Sequence, residues 1–220
     1  ENGGELKLLA DGELTGQEVK GKMVGITLTK DATLDLSGHK LSTDISKAIM
    51  VSGNVTLTIK DSSDDKTGTY KSSQSQQLYI DAGGHVVLES GTISGAGGTG
   101  FGVINNAKAG GTFTMNGGTV HCTGTMKDGK LDTTCGIAIL TRSTDTKKNP
   151  SVATINGGEV TSVGVAIQAK DATKLTLKGK AKIGNLEIIK TGKYTTTVEL
   201  GECVVENITL AKSGTNGSLS

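Results

Sequence analysis

The chain is poor in aromatic residues and in proline, with no Trp, 2 Phe, 3 Tyr and 1 Pro among its 220 residues. Large rings therefore cannot fill the core, which must be built mainly from Val, Ile and Leu. The net charge is only +1 and Arg142 is the only arginine, so the sequence predicts no nucleic-acid partner. No apolar run reaches the roughly 18 residues of a membrane-spanning helix, and no transmembrane segment is predicted.

Glycine, in contrast, is abundant, with 33 residues. It lacks the every-third spacing of collagen, and apolar residues recur throughout, so neither collagen nor simple disorder fits the chain. Glycine instead belongs to a repeat of two apolar residues at positions i and i+2, a short spacer, Gly and another apolar residue. The repeat occurs at Leu34/Leu36–Gly38–Leu41, Val86/Leu88–Gly91–Ile93, Phe113/Met115–Gly118–Val120 and Ala153/Ile155–Gly158–Val160. Alternation with period two predicts strands.

A second set of apolar residues precedes the first set at a fixed distance. Ten residues separate the members of the pairs Ile26 and Leu36, Ile49 and Ile59, and Leu78 and Leu88. Short strands that recur about every 22 residues between glycine turns predict a parallel β-solenoid with two or three strands per coil. Roughly seven coils at the usual strand spacing give a rod of about 34 Å. A sandwich of antiparallel hairpins is the alternative, but it does not account for the fixed offset.

The phrases "ATLDLSGHKLS" (Ala32 to Ser42), "NVTLTIKDSS" (Asn54 to Ser63), "TFTMNGGTV" and "ATINGGEV" resemble the repeats of right-handed parallel β-helix proteins of bacterial cell surfaces, within the pectate-lyase-like architecture. The resemblance implies an all-β, single-domain right-handed parallel β-helix over residues 26–210. Residues 1–25 are expected to form an N-terminal cap or a first irregular coil, where Leu8, Leu9 or Val19 could cover the open end of the core. Residues 211–220 are expected to form a linker-like tail.

Proteins of this architecture include lyases, hydrolases, adhesins and inert stalks, so the resemblance alone does not fix the function. The outward positions of one strand set are predicted to be Asp35, Thr58, Val87, Thr114, Thr154, Thr176 and Glu199. Their two acids lie at opposite ends, too far apart for a hydrolytic carboxyl pair. The sequence favours a non-catalytic secreted or cell-wall-attached module that acts as a rigid spacer or adhesive surface beside further domains of the same chain. The alternative is a carbohydrate-binding or polysaccharide-degrading domain.

The longest intervals between recognised strands, Ile59 to Leu78 and Met115 to Ile137, predict a bulge on one edge of the rod. A partner, either a glycan or a host or cell-surface protein, is expected to bind there. The candidate contacts are Tyr70, Tyr79, Lys127, Asp128, Asp132 and Arg142, the last in a polar insertion expected to be a mobile loop. Insertions without function are the alternative.

Three acids in "DSSDDKTG", namely Asp61, Asp64 and Asp65, are candidate calcium ligands, because calcium needs several converging oxygens. A solvated loop is the alternative, and no other cofactor is predicted. Cys122 and Cys135 flank one inserted loop and could form a disulfide, or could be two buried thiols. Asn116 and Asn156 occupy equivalent corners and are expected to be turn or asparagine-ladder residues.

Overall fold

The computed structural model describes residues 3–20, 22–74, 76–95, 100–105, 110–127, 130–132, 136–143, 150–191 and 194–213. These residues form 26 strands and no helix, so the described part of the chain holds no helix that could cross a membrane. In chain order the strands are β1 Gly4–Lys7, β2 Gly12–Glu13, β3 Gln17–Val19, β4 Lys22–Val24, β5 Ile26–Leu28, β6 Ala32–Asp35, β7 Lys40–Thr43, β8 Ile49–Val51, β9 Thr56–Lys60, β10 Thr69–Ser72, β11 Leu78–Ile80, β12 His85–Leu88, β13 Thr92–Gly95, β14 Gly100–Asn105, β15 Thr112–Met115, β16 Thr119–Cys122, β17 Thr125–Lys127, β18 Lys130–Asp132, β19 Gly136–Ser143, β20 Ser151–Ile155, β21 Glu159–Ser162, β22 Val165–Asp171, β23 Thr173–Leu177, β24 Ala181–Thr191, β25 Thr196–Leu200 and β26 Cys203–Ser213.

Most of these strands lie in two long parallel sheets. An eight-stranded sheet has the order β1-β6-β9-β12-β15-β20-β23-β25 and is called the first stack. A 14-stranded sheet contains two rows. The row from β2 through β7, β10, β13, β16 and β21 is called the second stack, and the row from β5 through β8, β11, β14, β19 and β22 is called the third stack. The long strand β24 joins the two rows, because its first half pairs with β21 and its second half with β22. β26 pairs with β24 along both halves.

The chain visits the first, second and third stacks in the same order eight times, and each visit is called a level. Only the hairpins β3–β4 and β17–β18 pair in antiparallel fashion among the described strands. The predicted all-β class and parallel strand pairing are therefore confirmed, and the arrangement is compatible with the predicted solenoid.

The predicted offset between equivalent strands is also visible in the register. Ile26 pairs with Ile49, and Leu78 pairs with Ile49 on one side and Val103 on the other. In later levels, alignment of the first apolar residue of each strand would pair Val103 with Ile137 and Val165 with Leu186. The structure instead pairs Val103 with Ile139, and Ile167 with Leu186, which is a difference of two residues. A shift of two keeps every side chain on the same side of its strand, so the apolar pattern alone does not detect it.

The core lies between the stacks and is filled by rows of aliphatic side chains. In the first stack the inward row runs through Leu34, Ile59, Leu88, Met115, Ile155 and Leu177, all of them at most 4% exposed. Equivalent residues stack on one another from level to level, so rows of mainly aliphatic side chains fill the interior, and Tyr70 and Phe113 add two buried rings.

The glycines between the first and second stacks allow successive turns to approach closely. Gly118 and Gly158 have φ values of 78° and 83°, a conformation that costs residues with a Cβ. A Cβ on Gly118 would clash with the carbonyl oxygen of Gly91, and one on Gly158 would clash with that of Gly118. These turns therefore stack backbone on backbone, which only glycine permits.

The outward row of the first stack begins differently from the prediction. Thr33, not Asp35, pairs with Thr58, and Asp35 pairs with Lys60 at the corner. The observed row is Glu5, Thr33, Thr58, Val87, Thr114, Thr154, Thr176 and Glu199. Asp35 is only 1% exposed, because its carboxylate turns into the corner and accepts hydrogen bonds from backbone N–H groups.

The first level includes most of residues 1–25. β1 and β2 extend the first and second stacks, and the hairpin β3–β4 leaves the second stack before β5 begins the third. Leu8 packs against the core, whereas Leu9 is 85% and Val19 50% exposed. The expectation that Leu9 or Val19 covers the end of the core is therefore wrong, because both side chains point to solvent. At the other end β26 continues through Ser213, within the segment expected to be a linker.

Candidate functional site

The loop between β9 and β10 is organised by one buried carboxylate, that of Asp61, which is 2% exposed. Its Oδ1 accepts hydrogen bonds from the backbone N–H of Gly38 at 2.8 Å and from the backbone N–H and hydroxyl of Ser63 at 3.0 and 2.7 Å. Its Oδ2 accepts one from the N–H of Gly68. A carboxylate has about four acceptor positions, so these protein donors already occupy Asp61.

The remaining acids of this loop do not join Asp61 in a metal site. Asp64 and Asp65 are exposed, and the Asp65 carboxylate accepts a hydrogen bond from the Thr67 hydroxyl at 3.1 Å. In the described part of the chain, no group of three or more His, Cys, Asp or Glu side chains is arranged to hold a metal ion. The predicted calcium ligands Asp61, Asp64 and Asp65 are thus not brought together, because Asp61 turns inward to bind backbone.

Asp35 and Asp61 are both stabilised as carboxylates by hydrogen bonds. Burial acts to raise the pKa of the Asp61 carboxyl, but the donors on Ser63, Gly68 and Gly38 outweigh it and bring the pKa below the ordinary 3.8. Asp35 Oδ1 accepts from the N–H groups of Ser37 and Ser62 at 3.0 and 2.9 Å. Its pKa is likewise below 3.8, although burial opposes this, because the hydrogen bonds from Ser62 and Ser37 dominate with help from Lys60.

Tyr70 is a core residue, contrary to its prediction as a ligand contact. It occupies the inward row of the second stack between Leu41 and Ile93 and is 0% exposed. Its hydroxyl donates to the carbonyl oxygen of Gln77 at 3.2 Å, and the Gln77 side-chain amide donates to the carbonyl oxygen of Tyr70 at 3.2 Å. Burial raises the pKa of this hydroxyl. The ring therefore cannot act as a surface platform.

Tyr79 does face outward, in the third stack between Met50 and Ile104. It is half-buried, and the ammonium group of Lys47 lies 4.3 Å from the centroid of its ring. A cation over an aromatic face is a favourable contact, so one ring face is already covered. Tyr70 and Tyr79 thus do not form a shared aromatic surface.

The other candidate contacts are spread over different elements. Lys127 and Asp132 belong to the hairpin β17–β18, in which Lys127 pairs with Lys130 and Asp132 with Thr125; Asp128 lies outside the described residues. Arg142 lies in strand β19 and pairs with Lys170 in the third stack. The expectation that Arg142 sits in a mobile loop is wrong, because β19 continues through Ser143.

The interval from Ile59 to Leu78 is not a loop as a whole, because it contains β10 of the second stack. The interval from Met115 to Ile137 likewise contains β16 and the hairpin β17–β18. The predicted bulge on one edge therefore consists mainly of second-stack strands that were not predicted from the sequence.

The structure describes only one residue of the predicted cysteine pair. Cys122 is buried at an inward position of β16, and burial raises the pKa of its thiol. Cys135 lies outside the described residues, so the disulfide stays a prediction.

The asparagine ladder is present as expected. The side-chain amide of Asn156 donates to Oδ1 of Asn116 at 2.8 Å, and that of Asn116 donates to Oε1 of Glu89 at 2.9 Å. A second ladder, which the sequence reading did not identify, links Asn207 to Asn185 at 3.0 Å and Asn185 to the carbonyl oxygen of Gly164 at 2.8 Å. In both ladders polar side chains at the surface bind the next level instead of converging on a ligand site.

The first level contains an apolar cavity that was not predicted from the sequence. The cavity has a volume of about 390 Å³ and opens to solvent at β1, β2 and β5. Its walls include Leu6, Leu14, Ile26 and Leu28, with Leu34 and Leu57 deeper inside. Leu6 is 60% and Ile26 41% exposed. The signal in the sequence is the continuation of the apolar rows into β1 and β5, and no residue in the described part of the chain covers them.

No protein-family model, no curated protein and no solved structure matches the chain.

Proposed function

We propose that the chain is a right-handed parallel β-solenoid that serves as a non-catalytic rigid spacer or adhesive module of a secreted or cell-surface protein. The observation that carries the proposal is the continuous strand register of the first stack, which runs through all eight levels from β1 to β25. Each level contacts its neighbours through the same rows, so the stack resists bending between levels in the way that a spacer requires. The right-handed sense follows from the general preference of parallel crossovers.

The surface chemistry supports a structural role. Polar side chains that could act on a ligand instead link levels of the stack. Lys60 pairs with Glu5 two levels away at 2.9 Å, and Lys174 pairs with Glu199 in the adjacent level at 3.1 Å. Nδ1 of His85 contacts the hydroxyl of Thr112 in the adjacent level at 2.8 Å. Among the described candidate contacts, Tyr70 lies in the core, Tyr79 and Arg142 lie in different strands of the third stack, and Lys127 and Asp132 lie in a hairpin. The location at a cell surface rests on the resemblance of the repeats to bacterial surface proteins.

The spacer role predicts a stiff particle of defined length. Seven steps between eight levels at the usual strand spacing correspond to about 34 Å along the stack. Small-angle X-ray scattering on the purified chain should give an elongated particle with this axial contribution and little change in shape with ionic strength. A compact or flexible scattering profile would contradict the proposed spacer.

The carbohydrate-active alternative is tested with substrates and ligands. The wild-type chain should release no unsaturated sugar from a panel of polyuronates and no reducing ends from neutral polysaccharides. Product formation would overturn the non-catalytic proposal. Specific binding on a broad glycan array would instead support the carbohydrate-binding alternative, and an adhesive role would then replace that of an inert spacer.

A further inference from the structure

Two outward rows carry glutamate only at the two ends of the described stack. In the first stack the row begins with Glu5 and ends with Glu199, and Thr or Val occupies every level between them. In the second stack the row begins with Glu13 and reaches Glu206 through Ser42, Lys71, Ser94, His121, Thr161 and Gly184. All four glutamates are exposed, and they are called the end glutamates.

The same two ends expose core rows and edge strands. β1 and β25 are the outermost strands of the eight-stranded sheet. Leu6 and Ile26 are exposed at the first level, and Leu200, Ile208 and Leu210 are 52%, 48% and 54% exposed at the last. An exposed, apolar strand edge is a template for pairing with another chain. Backbone and core together therefore favour the stacking of one copy on the next.

Stacking of a second copy in the existing register would place equivalent residues next to each other. Leu200 would lie beside Leu6 of the next copy, and Ile208 beside Ile26, because they occupy the same inward rows. The apolar cavity of the first level would then be covered by the last level of the other copy. The same register would also bring Glu199 beside Glu5 and Glu206 beside Glu13.

Like charges in adjacent strands about 4.8 Å apart oppose pairing. We propose that the end glutamates prevent end-to-end stacking of copies of this chain, and that the partner they exclude is a second copy in continuous parallel register. The inference rests on the observed rows and goes beyond the spacer role.

The neighbouring charges show which pair contributes most. Glu5 and Glu199 each have a lysine partner, Lys60 and Lys174, which reduces the repulsion between them. Glu206 borders a recess with Glu159 and Lys182, and Glu13 borders the apolar cavity with Glu5 and Lys30. None of the ion pairs within the described residues involves Glu13 or Glu206. The Glu13–Glu206 contact is therefore the more repulsive one.

The first test neutralises the four end glutamates. The variant Glu5→Gln/Glu13→Gln/Glu199→Gln/Glu206→Gln and the wild type are compared by sedimentation velocity over a concentration series at neutral pH and low salt. The wild type should remain monomeric, and the variant should form dimers and longer species with an association constant at least roughly ten-fold higher. A control with the same charge change, Glu18→Gln/Asp44→Asn/Asp64→Asn/Asp65→Asn, should remain monomeric.

The second test first makes the contact between positions 13 and 206 attractive and then makes it repulsive again. Glu206→Lys places a cation beside Glu13 of the next copy and should produce end-to-end assemblies that dissolve as salt is raised. Combining Glu206→Lys with Glu13→Lys makes the contact repulsive again and should return the protein to monomers. Circular dichroism and thermal unfolding verify that each variant is folded.

The results separate the possibilities clearly. The proposal is overturned if the wild type already stacks end to end at neutral pH, if the folded glutamine variant stays monomeric, or if Glu206→Lys and its double-lysine partner behave alike. Electron micrographs of the assemblies should show rods lengthened along the stack. Side-by-side aggregates would also contradict the proposal.

Discussion

Asp61 shows how one residue can connect three parts of the chain. Its carboxylate binds the turn at Gly38, the start of its own loop at Ser63 and the end of that loop at Gly68. Its backbone N–H also donates to the hydroxyl of Ser90 in the next level at 2.9 Å. An acid that reads as a metal ligand in the sequence is thus an organiser of turns, because backbone N–H groups satisfy it.

Replacement of Asp61 by Asn should destabilise the protein by about 2 to 3 kcal/mol, since an amide nitrogen cannot accept the hydrogen bond from Gly68 and leaves a buried donor without a partner. Urea unfolding monitored by circular dichroism measures the change. The matched control Asp64→Asn alters an exposed acid and should change stability by no more than about 0.5 kcal/mol. Equal effects of the two substitutions would contradict this role.

The same carboxylates predict a loss of stability in acid. The folded pKa values of Asp35 and Asp61 lie below the ordinary 3.8, so their contribution is complete above that value and is lost as the pH falls through the lower folded values. Unfolding free energies measured between neutral pH and pH values below 3.8 should therefore decrease toward acid. The decrease should be smaller in Asp61→Asn than in wild type. Identical pH profiles of the two proteins would contradict the contribution of the Asp61 carboxylate.

Gly118 is a position where two separate requirements meet. Its φ is 78°, and a Cβ would clash with the carbonyl oxygen of Gly91. Gly53 has a similar φ of 68°, but a Cβ there would meet no atom within 4 Å. Gly118→Ala should therefore cost more than about 3 kcal/mol, and Gly53→Ala only about 1 kcal/mol for its backbone conformation. Thermal unfolding distinguishes them, and similar losses would show that the close approach is unimportant.

At the scale of elements, the first and third stacks were predictable and the second was not. Strands of the first and third stacks carry pairs of apolar inward residues, such as Leu57 and Ile59, which produce a visible period of two. Strands of the second stack carry one apolar inward residue followed by a small or polar one: Thr43, Ser72, Gly95, Cys122 and Ser162. A single apolar residue gives no period, so these strands read as loop.

The inward polar residues of the second stack have partners that only the folded structure reveals. The Thr43 hydroxyl donates to the carbonyl oxygen of Leu14 at 3.1 Å, and the Ser162 hydroxyl donates to that of Gly136. One signal was nevertheless available. Tyr70 follows Gly68 by two residues, as Ile93 follows Gly91 and Val120 follows Gly118. That spacing places Tyr70 in the core, and it identifies the candidate ligand residue as a structural one.

The asparagine ladder formed by Asn116 and Asn156 ends at Asn156, although the next level has an equivalent position. Oδ1 of Asn156 is buried and has no hydrogen-bond partner among the described residues, and the equivalent residue of the next level is Lys178, which follows Leu177. Lys178→Asn should extend the ladder by donating to Asn156 and stabilise the protein by up to about 1 kcal/mol. Lys178→Ala controls for loss of the lysine. Chemical denaturation should rank Asn above Ala, and the reverse order would contradict the ladder's contribution.

At the scale of the whole molecule, the two ends differ in how much backbone holds them. The first-level strands β1, β2 and β5 pair with the second level at four, two and three positions, whereas the last-level strands β25 and β26 pair with the seventh level at five and ten. Local opening starts where few backbone hydrogen bonds must break. Amides of β1, β2 and β5 should therefore exchange with solvent at least about ten-fold faster than those of β25 and β26. Hydrogen exchange followed by mass spectrometry on peptides from both ends measures the gradient, and uniform protection along the stack would contradict it.

The connection between the second and third stacks varies from level to level, while the stacks on either side of it stay regular. The chain crosses it through the hairpin β3–β4 in the first level, through the hairpin β17–β18 in the fifth, and within the continuous strand β24 in the seventh. The height added by each level stays the same whichever connection is used. Sequence can therefore be gained or lost at this corner without a change in the length of the molecule, which makes it the natural position for grafting a peptide onto the stack.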